Sequence, residues 1–273
     1  MQHPRDLLLP LVRLVEEAGV RVAKAFEGDF KVEWKGPRDP VTEVDKAVNA
    51  FLCERLAAMV PEAGLVAEES DETENAAAQS SEVLLFIDPI DGTQEFVDRR
   101  HEFGVLLGMV IGERPVLGIV HVPMAHTTYY GVSGEGSFKV VGGGAPKRLQ
   151  VSRTSEVAQA HALVTRTHGS ERLERALAHL GVHKRICGSA GLKAARIADG
   201  DGDVWVSPGP AGMRWDVAGA EVILAEAGGL LTDGLGRPFD YRRGLKNEAG
   251  ILASNGLLHE RAVASMAYAE REP

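Results

Sequence analysis

Cysteine is scarce in this chain: its 273 residues include only Cys53 and Cys187, which are far apart in sequence. Structural zinc sites and disulfide-rich scaffolds both need several cysteines at short spacings, so we expect neither. Two isolated thiols are typical of proteins kept in a reducing compartment. We therefore expect a cytoplasmic protein without a disulfide framework.

Positive charge is also in short supply. The chain has 30 Lys and Arg residues against 39 Asp and Glu residues, which gives a formal net charge of −9. Proteins that hold a nucleic-acid backbone present clustered basic residues, and no dense basic run occurs here. We expect no nucleic-acid polymer as a partner. A small anionic substrate remains compatible with this charge if metal ions supply the positive field.

Long apolar runs are missing as well. A membrane-spanning helix needs about 20 consecutive apolar residues, and the sequence contains no such run. The short apolar patch at Leu7–Leu9 is followed by Pro10, Arg13 and Glu16, which does not fit a signal peptide. We expect no membrane partner. Because 44% of the residues are hydrophobic, the chain can bury a substantial core.

Apolar periodicity in the first half predicts two amphipathic helices and then a group of strands. The helices cover Asp6–Phe26 and about 42–60, and an acidic surface excursion follows at 71–82. The predicted strands are 64–67, 83–87, 103–111, 116–122, 127–132 and 138–141.

The second half predicts strands and helices in alternation, which indicates an α/β arrangement of layered sheets and helices. The predicted strands are 162–165, 183–186, 203–206, 230–232 and 251–253, and the predicted helices are 171–180, 192–198, 217–227 and one at the end. We expect one compact unit over residues 1–273. Its subdomains are about 1–144 and 145–273, divided at Gly142-Gly143-Gly144.

The most informative segment reads Phe86-Ile87-Asp88-Pro89-Ile90-Asp91-Gly92-Thr93. A wholly apolar stretch runs into two carboxylates three residues apart, and Pro89 and Gly92 predict a sharp turn there. A purely structural turn is an equal alternative for this octapeptide alone, because Pro-x-Asp-Gly is ordinary turn chemistry.

Other acids stand at the ends of predicted elements, which are Glu68 after a strand, Asp45 at a helix start and Asp216 at another helix start. Each has a structural alternative. Glu68 could be a solvated strand end, Asp45 could form a capping box with Thr42, and Asp216 could be an N-cap. Jointly they place four or five carboxylates where layered α/β proteins carry their sites. Oxygen ligands without His or Cys select Mg²⁺ or Mn²⁺.

Three of these segments together resemble the signature of the inositol monophosphatase superfamily. They are Glu-Glu-Ser at 68–70, Asp-Pro-Ile-Asp-Gly-Thr at 88–93 and Trp-Asp-Val-Ala-Gly at 215–219. The resemblance extends from Asp39 to Gly229 in the same order. It implies the layered α-β-α-β-α sandwich of the inositol monophosphatase and fructose bisphosphatase type. It also implies a magnesium-dependent, lithium-sensitive phosphatase that acts on a small phosphorylated metabolite.

The resemblance implies a role for each residue of the signature. Two catalytic magnesium ions, with Mn²⁺ as an alternative, would be held by Glu68, Asp88, Asp91, Asp216 and the backbone carbonyl of Ile90. Asp45 would hold a third ion or orient the attacking water. Thr93 would hydrogen-bond this water, and Glu68 or Asp45 would remove its proton. The N–H groups of Gly92 and Thr93 would cradle the phosphate during in-line attack by water, without a covalent phospho-enzyme.

Three features are more similar to 3′(2′),5′-bisphosphate nucleotidases than to the inositol enzymes. Gly-Thr-Gln-Glu-Phe at 92–96 resembles the nucleotidase form of this turn, and Thr-Arg-Thr-His at 165–168 resembles a Ser-Arg-Ser-His element near the nucleotide. The segment 188–193 carries a lysine similar to one that contacts phosphate. The resemblance implies that His168, Ser189 and Lys193 contact the substrate. As alternatives, His168 could be an ordinary loop histidine and Lys193 a solvated helix residue.

One segment departs from both branches. The nucleotidases usually carry an arginine where this chain reads Ser207-Pro208-Gly209-Pro210, and the next arginine is Arg214. The same segment lacks the acid with which inositol enzymes bind sugar hydroxyls.

The preferred prediction is removal of the 3′-phosphate of 3′-phosphoadenosine 5′-phosphate by this chain. The alternatives are an inositol or sugar-phosphate phosphatase and a catalytically silent metal- or nucleotide-binding regulator. The sequence leaves the oligomeric state open, with a homodimer as one option.

Overall fold

The structure is a computed structural model that describes residues 3–36, 39–166 and 169–271. Its α-helices are α1 (Pro4–Phe26), α2 (Glu43–Met59), α3 (Glu72–Ala78), α4 (Thr93–Val97), α5 (Glu171–Leu180), α6 (Ala190–Ala198), α7 (Arg214–Glu226) and α8 (His259–Ala269). In this part of the chain, no helix is both long enough and apolar enough to cross a membrane.

The strands form two main sheets and one small hairpin. They are β1 (Val32–Gly36), β2 (Asp39–Thr42), β3 (Ala63–Ala67), β4 (Val83–Asp91), β5 (Gly104–Ile111), β6 (Arg114–Val122), β7 (Thr127–Val132), β8 (Gly136–Val141), β9 (Lys147–Arg148), β10 (His161–Val164), β11 (His183–Ile186), β12 (Val204–Ser207), β13 (Leu230–Thr232) and β14 (Ile251–Ser254).

Helices and sheets alternate in five layers. The larger sheet has the order β3-β4-β5-β6-β7-β8-β9 and the smaller one has the order β11-β10-β12-β14-β13. Helices α1 and α2 cover one face of the larger sheet, and α6 and α7 lie between the two sheets. Helices α5 and α8 cover the outer face of the smaller sheet. The predicted α-β-α-β-α sandwich is confirmed.

The middle layer holds residues from both predicted halves in one hydrophobic cluster. Helix α7 packs so closely on the larger sheet that a Cβ on Gly118 would lie 1.9 Å from the carbonyl oxygen of Gly219. Glycine at this crossing lets the two backbones touch, which fixes the height of α7 above the sheet. Since β9 pairs with β8, the boundary near residue 144 falls inside the larger sheet.

Most predicted elements are present, and two expectations about the first half need correction. The acidic excursion at 71–82 contains α3, whose N-cap is Asp71. The strand after Val83 does not turn at Asp88 but continues through Pro89 to Asp91, with an irregular register between Asp88 and Asp91. Proline has no N–H to donate to the ladder, and the irregularity accommodates it without ending the strand.

His121 is a buried histidine where β6 faces α1. A Cβ on Gly19 would lie 2.2 Å from its ring, so the ring fills the space that this glycine leaves. Its Nδ1 lies 2.9 Å from the Thr128 hydroxyl, and that hydroxyl donates to Glu16 over 2.7 Å. Burial lowers the pKa of His121 to about 4. The ring is therefore neutral in the folded protein at neutral pH.

We expect this histidine to weaken the fold in mild acid. An unfolded histidine has a pKa of about 6.5, so the unfolded chain binds a proton at this residue below that pH. The folded chain binds it only near pH 4 and below. The free energy of unfolding should therefore fall by about 2 kcal/mol between pH 7 and pH 5 from this group alone. Urea unfolding of the wild type and of His121→Gln at pH 7 and pH 5 measures this fall in the free energy of unfolding. Equal pH dependence in the two proteins would contradict this account.

Candidate metal centre and active site

Three carboxylates converge where β4 ends and α7 begins. The side chains of Asp88, Asp91 and Asp216 place ligand oxygens within 4.8 Å of one another. Asp88 and Asp91 are almost fully buried. The amide of Ile90 donates to Asp88 over 3.0 Å, which holds the irregular end of β4 in place. The structure thus brings together three of the residues that the sequence predicts as metal ligands.

Asp91 lies on the N-terminus of α6. Its carboxylate accepts hydrogen bonds from the amides of Ala190 over 2.9 Å and Gly191 over 2.7 Å, and also from the Ser189 hydroxyl. Ser189 has a φ of 55°, a left-handed conformation that is costly for a residue with a side chain. The N-terminus of α6 therefore holds the Asp91 carboxylate in place through three hydrogen bonds.

Asp216 is not the N-cap of α7, which corrects one alternative from the sequence. Met213 is the cap, and Asp216 lies three residues further on in the first turn. Its Oδ2 accepts a hydrogen bond from the Met213 amide over 2.7 Å. Gly212 has a φ of 61°, and a Cβ there would lie 2.3 Å from the same oxygen. The peptide at 212–213 therefore positions the carboxylate of Asp216.

Glu68 follows β3 at the edge of the same cluster, so it is not a freely solvated strand end. The ammonium of Lys35 lies 3.7 Å from Glu68 and 2.5 Å from Glu69. Burial disfavours the charged form of Lys35, but the two carboxylates outweigh it and raise its pKa. No pattern in the sequence indicates Lys35, because this residue reaches the site from β1.

The carboxylates of the cluster repel one another in a buried setting. Burial first, and neighbouring carboxylates second, raise the pKa of Glu68 to about 8 and that of Asp216 to about 7. The pKa of Asp88 is raised well above its usual range for the same reasons. A divalent cation removes this repulsion, and a donor set made only of oxygens suits Mg²⁺ or Mn²⁺. The residues present therefore fit the predicted metal.

Thr93 and Asp45 form a hydrogen-bonded pair beside the cluster. The hydroxyl of Thr93 lies 3.0 Å from Asp45 Oδ1 and 3.0 Å from the carbonyl oxygen of Ile90. Asp45 is fully buried, and burial raises its pKa. Its other oxygen closes a capping box with Thr42 at the start of α2, so the structural alternative for Asp45 is confirmed. The carboxylate of Asp45 thus connects the start of α2 to the hydroxyl of Thr93 through hydrogen bonds.

A cavity of about 470 Å³ opens above the cluster between the two sheets. The cluster acids, Gly92 and Thr93 line it together with polar and apolar side chains. The apolar ones include Leu173, Trp205, Pro208, Pro210 and Ile251. The cavity therefore combines a group of carboxylates with several apolar side chains.

The predicted substrate contacts have different outcomes. Ser189 and Lys193 line the cavity. Lys193 is only 5% exposed, so the alternative of a solvated helix residue is wrong. Its ammonium donates to the Ser189 carbonyl over 2.9 Å and lies 5.1 Å from the centre of the Trp205 ring. His168 lies outside the described residues. Arg214 points into a second cavity of about 410 Å³ rather than into this one.

Gly92 makes the turn at which α4 begins. Its φ is 97°, in the left-handed region, and a Cβ there would lie 3.2 Å from the carbonyl oxygen of Glu102. Glycine is therefore the residue that fits this turn. The first N–H groups of a helix have no partner inside it, so those of Gly92 and Thr93 are available to a ligand.

Comparison with known proteins places the chain among phosphatases. The model of the "Inositol monophosphatase family" matches residues 4–270. The 3′(2′),5′-bisphosphate nucleotidase CysQ of Aggregatibacter actinomycetemcomitans is 33% identical, with 87% of this chain and 88% of the relative covered. The inositol monophosphatase of Mesembryanthemum crystallinum is 30% identical, with 97% of each chain covered.

A solved structure agrees with these relatives. The IMPase of Thermotoga maritima superposes with a TM-score of 0.79 at 26% identity, over 94% of this chain and 95% of that one. The family match covers residues 4–270, which include the three aspartates of the carboxylate cluster. The chain belongs to the inositol monophosphatase family.

Proposed function

We propose that this chain, a metal-dependent phosphomonoesterase of its family, is a bisphosphate nucleotidase that removes the 3′-phosphate of 3′-phosphoadenosine 5′-phosphate. The observation that carries the proposal is a single cavity lined both by the carboxylate cluster and by apolar side chains, among them Leu173, Trp205 and Pro208. A phosphate would bind at the carboxylates through metal ions, and the rest of the substrate would contact the apolar side chains. Such side chains stabilise the flat face of a base and offer few partners to the hydroxyls of a polyol.

The reacting end of the site is built from residues of the first half together with Asp216 of the second half. Magnesium ions held by Asp88, Asp91, Asp216 and Glu68, with the carbonyl of Ile90, would neutralise the phosphate and activate water. The Thr93 hydroxyl donates to Asp45, so its lone pair can accept a hydrogen bond from the attacking water and orient it.

The buried carboxylate of Asp45 is a candidate acceptor for the proton of that water. Burial raises its pKa, which makes it a stronger base than an exposed aspartate. Glu68, which the family resemblance also implies for this role, is the other candidate, and it lines the cavity. The N–H groups of Gly92 and Thr93 would hold the phosphate oxygens.

A second phosphate needs a cation beyond the metals. Lys193 supplies one inside the cavity, where its ammonium donates to the Ser189 carbonyl. Arg172 lies next to this cavity, since its Nη1 is 2.9 Å from the point at which a side chain on Gly209 would begin, between the lining residues Pro208 and Pro210. We propose that Arg172 takes the place of the arginine that residues 207–210 lack. Its partner, Glu270, lies 3.3 Å away in an exposed pair that costs little to open.

We expect kcat/KM for 3′-phosphoadenosine 5′-phosphate to exceed that for inositol 1-phosphate by at least ~10-fold, which corresponds to about 1.4 kcal/mol. Arg172→Met and Lys193→Met should each remove most of this preference, since they delete a cation and keep an apolar side chain of similar length. Both variants should keep most of their activity on p-nitrophenyl phosphate, which has one phosphate. Phosphate release measured on the three substrates tests this.

Two results would contradict the nucleotidase assignment. Equal turnover of both metabolites, or a preference for inositol 1-phosphate, would favour the sugar-phosphate alternative. Binding of the nucleotide without release of phosphate from any substrate would favour the silent regulator.

A further inference from the structure

Asn247 lies in the irregular segment between β13 and β14 and is almost fully buried. Each of its four polar groups bonds to a different residue of one short segment. Its backbone amide donates to the Gly212 carbonyl and its backbone carbonyl accepts from the Ala211 amide, both over 3.1 Å. Its Nδ2 donates to the Met213 carbonyl over 3.0 Å, and its Oδ1 accepts from the Arg214 guanidinium. Asn247 therefore fixes residues 211–214 as a unit.

The segment that Asn247 holds is the one that carries a candidate metal ligand. On its other side, the Met213 amide donates to the carboxylate of Asp216, and Gly212 leaves the space that this carboxylate occupies. The Met213 carbonyl receives both the Asn247 side chain and the Asp216 amide. A shift of the peptide at 212–213 would consequently rotate the carboxylate of Asp216 relative to Asp88 and Asp91.

Arg214 reinforces the same connection from the second cavity. Its amide donates to the Leu245 carbonyl over 2.7 Å and its Nε to the Asp240 carbonyl over 3.0 Å, and its guanidinium lies 4.9 Å from the centre of the Phe239 ring. Among the described residues, no carboxylate lies within 4.0 Å of this guanidinium. The amide oxygen of Asn247 is thus one of the few groups that fix its position.

From these contacts we infer that Asn247 is a positioning residue that orients Asp216 and so sets the affinity of the carboxylate cluster for its metal ions. The inference rests on the metal-dependent activity described above. Groups that hold a metal ligand in place typically change metal affinity about 10–100-fold when they are removed. A residue that served only the stability of the fold would change the melting temperature and leave that affinity alone.

The test compares Asn247→Ala with Asn255→Ala, a matched control. Asn255 is equally buried and bonds to Ser152 over 2.9 Å and to the Thr154 carbonyl over 2.8 Å, away from residues 211–216. Each protein is stripped of metal, and its Tm is recorded as the magnesium concentration is raised. The magnesium concentration for half-maximal phosphate release is measured in parallel.

We expect both variants to lower the Tm without metal. Only Asn247→Ala should raise the magnesium concentration at half-effect, by about 10-fold or more, in both measurements. Saturating magnesium should then restore most of its kcat. An unchanged magnesium requirement in Asn247→Ala, or an equal change in Asn255→Ala, would overturn the inference.

The isosteric Asn247→Asp replaces the alanine variant if that one does not fold. It keeps an acceptor for Arg214 and loses the donor to Met213, so its magnesium requirement should also rise, and no rise would overturn the inference. The Tm measurement needs no substrate, so it tests the role of Asn247 whether or not the protein hydrolyses 3′-phosphoadenosine 5′-phosphate.

Discussion

Asp91→Asn is expected to lower kcat/KM by at least about 10³-fold, or about 4 kcal/mol of transition-state stabilisation. The substitution keeps the shape of the side chain but removes a charge at the centre of the carboxylate cluster. In the wild type the amides of Ala190 and Gly191 donate to this carboxylate. In the variant, an amide N–H₂ group, itself a donor, would face one of them. Phosphate release at saturating magnesium measures the loss.

Asp203→Asn is the matched control for this loss. Asp203 is also a buried aspartate whose carboxylate accepts from a backbone amide, that of His161, over 2.7 Å, and it lies outside the carboxylate cluster. We expect it to lower the free energy of unfolding and to leave kcat/KM of the folded protein within a few fold. A similar loss of activity in both variants would mean that Asp91 acts through the fold alone.

Thr93→Val should lower kcat by about 10²-fold or more while KM changes little. The variant keeps the shape of the side chain and deletes the hydroxyl that connects Asp45 to the position of the attacking water. Orientation of water matters mainly in the transition state, whereas the metal ions hold the phosphate in both states.

Thr93→Ser keeps the hydroxyl and is the control, with most of kcat expected to remain. Steady-state kinetics on a single substrate separates kcat from KM for both variants. An unchanged kcat in Thr93→Val, or an equal loss in Thr93→Ser, would remove the hydroxyl from the mechanism.

Local patterns in the sequence were sufficient for most of the fold. The predicted helix 171–180 and the predicted strands 127–132, 183–186 and 230–232 have the observed bounds, because periodicity and turn residues act over a few neighbours. Helix α3 was missed, although Asp71 caps it by accepting a hydrogen bond from the Glu74 amide. The β1–β2 hairpin was missed too, because β1 is short and mostly exposed and β2 has only four residues.

The candidate ligands were found because their residue types and order match a family signature. Their supports could not be found this way, since they come from distant parts of the chain. Lys35 reaches Glu68 from the hairpin, α6 receives Asp91, and Asn247 holds the peptide next to Asp216. No local pattern predicts such pairings, which only the packing of the two sheets creates. The roles of Thr93, Asp45 and Lys193 in the reaction remain predictions.

The most direct test of the account is phosphate release from 3′-phosphoadenosine 5′-phosphate by metal-stripped protein as magnesium is added back. The account predicts no turnover in excess chelator, recovery of turnover with magnesium, and no comparable recovery in Asp91→Asn. Undiminished turnover in excess chelator would contradict a metal-dependent phosphatase, as would the absence of phosphate release at saturating magnesium from this nucleotide, inositol 1-phosphate and p-nitrophenyl phosphate alike.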